Sequence, residues 1–203
     1  MPNAPLFPMP IETPRLLIRP PQLGDEIALN KAVMESHDNL KKFMSWAERP
    51  QSMEESAEYI RLSVDNWILK KLEEPWLPLL IFDKNSLELI GNTGFHHMNW
   101  DIPSAEIGYW IRTSQSGKGL MTEAINALTR YAFQQLGLKR ISMTCDILNI
   151  PSKRVPERLG YSLEGQLKFH RRTPDTGELS DTLIYSRYGL DSLPELEVSW
   201  PSQ

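Results

Sequence analysis

A strand-like run, a glycine-rich turn and an amphipathic helix follow one another between residues 104 and 136. "SAEIGYWI" (104–111) predicts a strand, and Gly-Lys-Gly (117–119) stands where the helical pattern begins. Glycines at such a junction leave the first N–H groups of the helix exposed, and exposed N–H groups hold phosphate oxygens. The sequence therefore predicts an anion-binding turn ahead of a helix whose apolar side chains share one face: Met121, Ala124, Ile125, Leu128, Ala132 and Leu136.

The rest of the chain predicts strands interrupted by helices. Strands are expected at 15–20, 77–84, 88–100, 140–147, 161–172 and 178–190, and helices at 25–35, 52–68 and 151–159. Ser52 and Glu55 have capping-box spacing, and Pro156 is expected to bend the short last helix. This order favours a mixed α/β sheet over a regular βαβ array.

Composition limits the classes of protein that the chain can belong to. Its 203 residues suit one domain, at 11–190, with a flexible segment at 1–10 and a polar tail at 191–203. A net charge of -4 gives no sign of nucleic-acid binding, and no apolar run approaches the roughly 20 residues of a membrane span. The lack of a secretion signal and the single cysteine fit the cytoplasm. No metal site is expected, because His96 and His97 should face opposite ways.

Three interpretations compete for the glycine turn, and two of them bind phosphate. A Walker loop needs Ser or Thr after its lysine, but Gly119 follows Lys118. A dinucleotide fingerprint needs a third glycine where Thr122 stands. A plain strand-to-helix turn, with no ligand, is the remaining alternative when the segment is taken alone.

Four segments, in the same order along the chain, resemble the GNAT N-acetyltransferases. "EIGYWIRTSQSGKGLMTEA" is similar to their acetyl-CoA signature, although Gly117 stands one place early. "ETPRLLIRP", "MSWAERPQSMEESAEYI" and "NIPSKRVPERLGY" resemble segments of the RimJ/RimL-type branch, which acetylates the N-termini of ribosomal proteins. The resemblance spans about residues 11 to 190.

The resemblance implies an α/β (α+β) GNAT fold: a mixed, mostly antiparallel twisted sheet of about seven strands with about four helices, splayed between strands 4 and 5. The pantetheine arm of acetyl-CoA would lie in the splay along 110–112. The diphosphate would lie on the amides of 116–120, with charge added by Arg112 and Lys118. The implied cofactor-binding residues are Trp110, Ile111, Arg112, Gln115, Ser116, Gly117, Lys118, Gly119, Leu120, Met121, Thr122, Asn149 and Ser152.

Acetyl transfer to an amine needs a base, and Glu106 is the candidate. It shares a strand face with Gly108 and Trp110, upstream of the turn, and it matches the base proposed for RimL-type enzymes. The alternative is a glutamate that faces solvent or pairs with a cation. In the same branch, Ser152 would hydrogen-bond or protonate the departing thiolate, and the amide of Ile111 would hold the oxyanion. Alternatively, Ser152 or Asn149 simply caps the short helix.

The acceptor itself stays open. A protein N-terminal α-amine, such as that of a ribosomal protein, is the first hypothesis, with Trp46 and Glu106 touching the acceptor. A polyamine or aminoglycoside is the second, and a GNAT-like module that binds acyl-CoA without turnover is the third. Loops at 37–52 and 70–78 and the hairpin at 165–182 would set acceptor specificity, and the branch is often a homodimer. Cys145 falls on an apolar strand face, so direct transfer without an acyl-enzyme is expected.

Overall fold

The computed structural model describes residues 7–69 and 76–202. Within them, eight strands form one sheet in the order β1-β2-β3-β4-β5-β6-β8-β7. The strands are β1 (Ile11–Glu12), β2 (Leu16–Arg19), β3 (Leu77–Asp83), β4 (Leu89–Asn99), β5 (Ser104–Ile111), β6 (Arg140–Asp146), β7 (Ser162–Arg172) and β8 (Leu179–Arg187). The α-helices are α1 (Glu26–Leu40), α2 (Met53–Leu69), α3 (Leu120–Gln134) and α4 (Ile150–Arg158).

Neighbouring strands run antiparallel throughout the sheet except for β5 and β6, which are parallel. These two strands pair at only three positions, from Ser104↔Arg140 to Glu106↔Ser142, although β5 continues to Ile111. The sheet therefore opens beyond Glu106. The predicted splay between strands 4 and 5 is confirmed, and it lies between β5 and β6 because the two-residue β1 was not predicted.

Helices cover both faces of this sheet, as β3 shows. Leu79 and Ile81 pack on the face that carries α3, whereas Leu80 and Phe82 pack on the face that carries α1 and α2. A strand buried on both faces reads as a continuous apolar run, which is the pattern of "LPLLIF". The sheet is thus held between two apolar layers, and the gap between β5 and β6 is a fixed feature of it.

Local signals set the ends of two helices. Ser52 Oγ accepts from the N–H of Glu55 at 3.2 Å, and the Glu55 carboxylate accepts from the N–H of Ser52 at 2.8 Å, so the predicted capping box is confirmed. Helix α3 begins at Leu120 rather than 117, because Gly117 and Gly119 have φ of 77° and 75°. Those values lie outside the right-handed helical region, so both glycines belong to the turn.

Both ends of the chain pack more closely than the sequence analysis expected. Phe7 lies edge-on to Trp67, with ring centroids 5.8 Å apart; residues 1–6 lie outside the described part. The predicted polar tail carries Trp200, which packs on Tyr131 at 5.3 Å, and the Ser199 amide donates to Glu12 at 2.9 Å. Its apolar residues were visible in the sequence, but they have no helical or strand period. No helix among the described residues is long and apolar enough to cross a membrane.

Candidate active site

Two cavities meet where the sheet opens. We call one the acidic cavity; it measures about 710 Å³ and is lined by the carboxylates of Glu55, Glu106 and Asp146. The other, the turn cavity, measures about 570 Å³ and is lined by the glycine turn and α4. Both are lined by the same six residues at their junction: Phe43, Met44, Tyr109, Trp110, Asn149 and Ser152. A molecule in one cavity can therefore reach a molecule in the other.

The main chain of β5 presents unpaired groups to the gap. The amide of Arg112 donates to Ile90 of β4 at 2.8 Å. Main-chain groups alternate in direction along a strand, so those of Trp110 also face β4, whereas those of Tyr109 and Ile111 face the gap. The main chain of Trp110 and Arg112 was expected to contact the pantetheine arm, and this expectation is wrong. The same expectation for Ile111 agrees with the structure, because the main-chain groups of Ile111 face the gap. The Trp110 side chain lines both cavities.

The glycine turn presents a run of free amides. The N–H groups of residues 117 to 122 have no hydrogen-bond acceptor among the described residues. The amides of Gln115 and Ser116 are already used, because they donate to Arg112 and Thr113 at 3.0 and 3.1 Å. The run of free amides therefore begins at Gly117, one residue later than expected, and the dipole of α3 would favour an anion there by about 0.3–1 kcal/mol.

Three side chains near the turn do not face the turn cavity. Arg112 is only 8% exposed and donates to Glu35 and Glu88 at 2.5 Å each, so it joins α1 to the sheet. The prediction that Arg112 adds positive charge at the diphosphate is therefore wrong. Gln115 bonds Glu88 at 3.3 Å and accepts from the Lys118 ammonium at 2.8 Å. The ammonium of Lys118 is thus turned towards Gln115, and only the Lys118 amide is available to the turn. The side chain of Gln115 joins Lys118 to Glu88.

Positive charge comes instead from side chains that the sequence analysis did not select. Lys42, Arg154 and Arg158 line the turn cavity, and none of them makes an ion pair with a described residue. Arg154 and Arg158 are four residues apart on α4, so their shared face was readable from the sequence. Lys42 comes from the segment after α1, and only the fold brings it here.

Glu106 faces the acidic cavity, and its Oε1 accepts from the Thr144 hydroxyl of β6 at 2.7 Å. No described cation pairs with it. Opposite it on β4 lies His96, whose ring covers Gly108: a Cβ there would be 3.0 Å from Nε2. Burial, with a smaller effect of His97, lowers the pKa of His96 to about 4, so its imidazole is neutral near pH 7. His97 is exposed and lies where the register of β4 shifts, with φ of 49°.

Ser152 and Tyr109 form a hydroxyl pair at the junction of the cavities. Ser152 Oγ donates to the Tyr109 oxygen at 3.2 Å, and the Tyr109 hydroxyl donates to the Ser152 carbonyl at 3.0 Å. Burial raises the pKa of Tyr109, so it stays protonated and can donate. The Asn149 side chain accepts from the Ser152 amide at 3.2 Å and so caps α4. Its position at the junction also leaves it within reach of a ligand there.

Two further residues were considered from the sequence. Trp46 is 47% exposed, lines the acidic cavity and lies 6.2 Å from the Trp110 ring. Burial raises the pKa of the Cys145 thiol to about 11, which disfavours the thiolate that a nucleophile needs. Among the described residues, no three His, Cys, Asp or Glu side chains lie close enough to share a metal ion.

These features define a class of protein. A split between parallel strands, free amides at the start of a helix and a carboxylate-lined cavity on the other side suit a transferase that passes a group from a phosphate-bearing carrier to an amine. Residues 15–162 match the family described as "Acetyltransferase (GNAT) domain". The chain belongs to this family, and it is an N-acetyltransferase whose acetyl donor is acetyl-CoA.

Individual relatives agree with this assignment. YdaF of Bacillus subtilis (strain 168), named provisionally as a ribosomal N-acetyltransferase, is 30% identical over 145 residues, which cover 71% of this chain and 76% of YdaF. The ribosomal-protein-serine acetyltransferase of Escherichia coli (strain K12) is 31% identical over 129 residues, covering 64% and 69%. The microcin C7 self-immunity acetyltransferase MccE, solved with acetyl-CoA and AMP, is 28% identical with a TM-score of 0.75, covering 86% and 93%. The names of the first two support the RimJ/RimL-type branch.

Proposed function

We propose that this protein transfers the acetyl group of acetyl-CoA to the α-amine of a protein N-terminus, with a ribosomal protein as the first acceptor to test. The observation that carries the proposal is the junction of the two cavities at Tyr109 and Ser152, with phosphate-binding groups on one side and carboxylates on the other. Relatives named as ribosomal-protein acetyltransferases support this class of acceptor.

The turn cavity holds the carrier through the main chain and three cations. The amides of residues 117 to 122 donate to the diphosphate, and Lys42, Arg154 and Arg158 supply positive charge for its phosphates. Acetyl-CoA supplies an acetyl group activated as a thioester. The side chain of Asn149 and the gap-facing main chain of Ile111 orient its arm, and the Ile111 amide donates to the carbonyl oxygen that gains negative charge.

Proton movement is divided between the two cavities. Glu106, fixed by Thr144, accepts the proton that the ammonium of the acceptor must lose. Ser152 turns its hydroxyl from Tyr109 to the departing sulfur and stabilises the thiolate by a hydrogen bond. Trp46 covers the acceptor in the acidic cavity. The amine attacks the thioester directly, since the Cys145 thiol is neutral and buried.

A small polycation is the second candidate acceptor. Glu55, Glu106 and Asp146 give the acidic cavity three carboxylates, which suit a polyamine or an aminoglycoside. A non-catalytic acyl-CoA-binding regulator is the third candidate, and the presence of Glu106 in the acidic cavity and of Ser152 at the junction weighs against it.

A thiol-release assay tests these alternatives. Purified protein with acetyl-CoA is given Ser- and Ala-initiated peptides, spermidine and kanamycin, with CoA release as the readout. We expect release with the peptides. Release only with spermidine or kanamycin would replace the first candidate by the second, and release with none, despite heat of binding for acetyl-CoA, would favour the regulator.

We further propose a homodimer that acts in the cytoplasm. Strand β7 is the edge of the sheet, and it exposes Leu163, Leu167 and Phe169. Natural proteins rarely leave a long apolar edge strand uncovered. Light scattering coupled to size exclusion tests this: a dimer that becomes a monomer on Phe169→Lys supports pairing through β7, and a wild-type monomer refutes it.

A further inference from the structure

Among the described residues that line the acidic cavity, one positive side chain, Arg171, is not used by the reaction above. Asp146 is 1% exposed; its Oδ1 accepts from the Ser180 hydroxyl at 2.8 Å and from the Leu148 amide at 2.9 Å. Arg171 Nε lies 3.4 Å from the other oxygen, Oδ2, and both residues line the cavity. A carboxylate this buried needs its cation, so Asp146 holds Arg171 in place.

An irregularity of β7 brings Arg171 to this position. Leu167 pairs with Thr182 and Arg171 pairs with Ser180, so three residues of β7 stand opposite one residue of β8. Phe169, in the middle of this bulge, has φ of 50°, and its amide donates to the Asp181 carboxylate at 2.9 Å. Bulges redirect side chains and are common beside active sites. Here the bulge places Arg171 on the wall of the acidic cavity.

The guanidinium of Arg171 is fixed but not saturated. Its Nη2 donates to the carbonyl of Phe43 at 2.8 Å, and its side chain is 30% exposed. This bond uses one of the five N–H groups of the guanidinium, and the other four have no hydrogen-bond acceptor among the described residues. Since His96 is neutral, Arg171 is the positively charged side chain among the described residues that line the cavity.

The spacing of β6 relates Arg171 to the site of the acceptor amine. Thr144, which holds the Glu106 carboxylate, and Asp146, which holds Arg171, are two residues apart on one face of β6, or about 7 Å. An extended peptide covers about 7 Å in two residues. A peptide whose α-amine meets Glu106, and which runs along β6 from Thr144 towards Asp146, therefore brings a main-chain carbonyl of its first two residues close to Arg171.

We propose that Arg171 is a specificity-determining residue that donates a hydrogen bond to a main-chain carbonyl oxygen of the acceptor's first two residues. This inference rests on the proposed function and narrows it, because it selects a peptide over a simple amine. Spermidine has no carbonyl to receive this bond, and its second ammonium would be repelled by the guanidinium. Glu106 then serves the α-ammonium and Asp146 serves Arg171, while the third carboxylate, Glu55, is already paired with Arg49.

Two matched acceptors and two variants test this inference. Ala-Ala-Ala amide carries an α-amine and carbonyls, whereas n-octylamine carries an amine alone. We expect Arg171→Met to lower the ratio of kcat/KM for the peptide to kcat/KM for octylamine by about tenfold to a hundredfold, because a hydrogen bond from a charged group is lost. Arg171→Lys keeps the positive charge beside Asp146 but lacks the several N–H donors of the guanidinium. We expect a smaller fall in the same ratio of kcat/KM values for this variant. Arg172→Met, whose parent side chain bonds Gly177 outside the cavity, is the matched control.

A binding measurement separates this inference from the proposed function. Calorimetry of Ala-Ala-Ala amide into the protein saturated with CoA needs no turnover, and we expect at least tenfold weaker binding for Arg171→Met. Peptide binding that depends on Arg171 without acetylation would refute the proposed function and support the carbonyl contact. An unchanged acceptor ratio, or equal peptide affinity of wild type and Arg171→Met, would overturn the inference.

Discussion

The hydroxyl of Tyr109 donates to the carbonyl oxygen of Ser152 at 3.0 Å, across the gap from β5 to α4. In a regular helix that carbonyl would accept from the amide of residue 156, but residue 156 is proline and has no N–H. The proline therefore frees a main-chain acceptor at the junction of the two cavities, and a side chain from the opposite strand occupies it. The missing N–H of Pro156 thus has a consequence for the site, because the carbonyl that it leaves free ties Tyr109 to Ser152.

Replacing Tyr109 by phenylalanine should lower kcat with little change in the KM for acetyl-CoA. The change removes both hydrogen bonds to Ser152, so its hydroxyl no longer has a fixed starting orientation. We expect kcat to fall about tenfold, measured by thiol release with a peptide acceptor. Tyr161→Phe is the control, because that hydroxyl bonds Thr129 in the core. Equal losses in the two variants would mean that Tyr109 is only a packing residue.

The glutamate assigned as the base gives a second prediction. Glu106→Gln keeps the size of the side chain but cannot accept a proton, so kcat/KM for the peptide should fall by about 10²-fold or more. Thr144→Val removes the hydroxyl that positions the Glu106 carboxylate, and it should lower kcat/KM for the peptide by a smaller factor. Glu58→Gln, on the exposed face of α2, serves as control. A thiol-release rate that Glu106→Gln leaves intact would remove Glu106 from the mechanism.

Sequence patterns and family resemblance together were sufficient for most of the fold and for the glycine turn. The period of α3 and the glycines at 117 and 119 act locally, so they predicted the turn and its exposed amides. The gap between β5 and β6 was expected from family resemblance and is confirmed. The two-residue β1 was missed because a strand this short has no period to detect.

Side-chain partners could not be read in the same way. Arg112 looked available beside the turn, yet its partners Glu35 and Glu88 are 77 and 24 residues away in sequence. His96 was judged only as a metal ligand, because nothing in the sequence shows that it lies opposite Glu106. Arg171 reaches the acidic cavity through a bulge that has no sequence period. Contacts between distant segments decide these roles, and they exist only once the sheet has formed.

Gly119 provides a prediction with an internal control. Gly119→Ala forces a side chain into φ of 75°, which costs about 1–2 kcal/mol, and it disturbs the free amides that hold the diphosphate. Gly137→Ala, at φ of 67° beyond the end of α3, meets open space and should cost similar stability. We therefore expect similar losses of stability in urea unfolding, but weaker acetyl-CoA binding by calorimetry only for Gly119→Ala. Weakened binding in both variants would argue against the turn as the diphosphate site.

The cations on α4 give a prediction about ionic strength. Arg154→Ala and Arg158→Ala should each raise the KM for acetyl-CoA several-fold, with kcat nearly unchanged, because they remove exposed charges near phosphates. The effect should shrink between 50 and about 500 mM salt as these charges are screened. Arg61→Ala, an exposed arginine paired with Glu58 and Asp65 on α2, is the control. A KM that does not respond to either α4 substitution would place the phosphates elsewhere.

The buried imidazole of His96 should make the stability of the protein depend on pH. Its pKa is about 4 in the folded protein, because of burial first and His97 second, against about 6.5 in an unfolded chain. Between these two pKa values the unfolded state binds a proton that the folded state does not bind. The contribution of the neutral imidazole to the free energy of unfolding is therefore intact above about pH 6.5 and is lost progressively as the pH falls towards 4. By pH 5 this contribution of His96 to the free energy of unfolding should have fallen by about 1–2 kcal/mol, and His96→Gln should not show this fall. Urea unfolding at pH 7.5 and pH 5 measures the difference, and His97→Gln, at the exposed neighbouring position, should keep most of it. If wild type and His96→Gln lose the same stability between these two pH values, the imidazole is not desolvated as the structure requires.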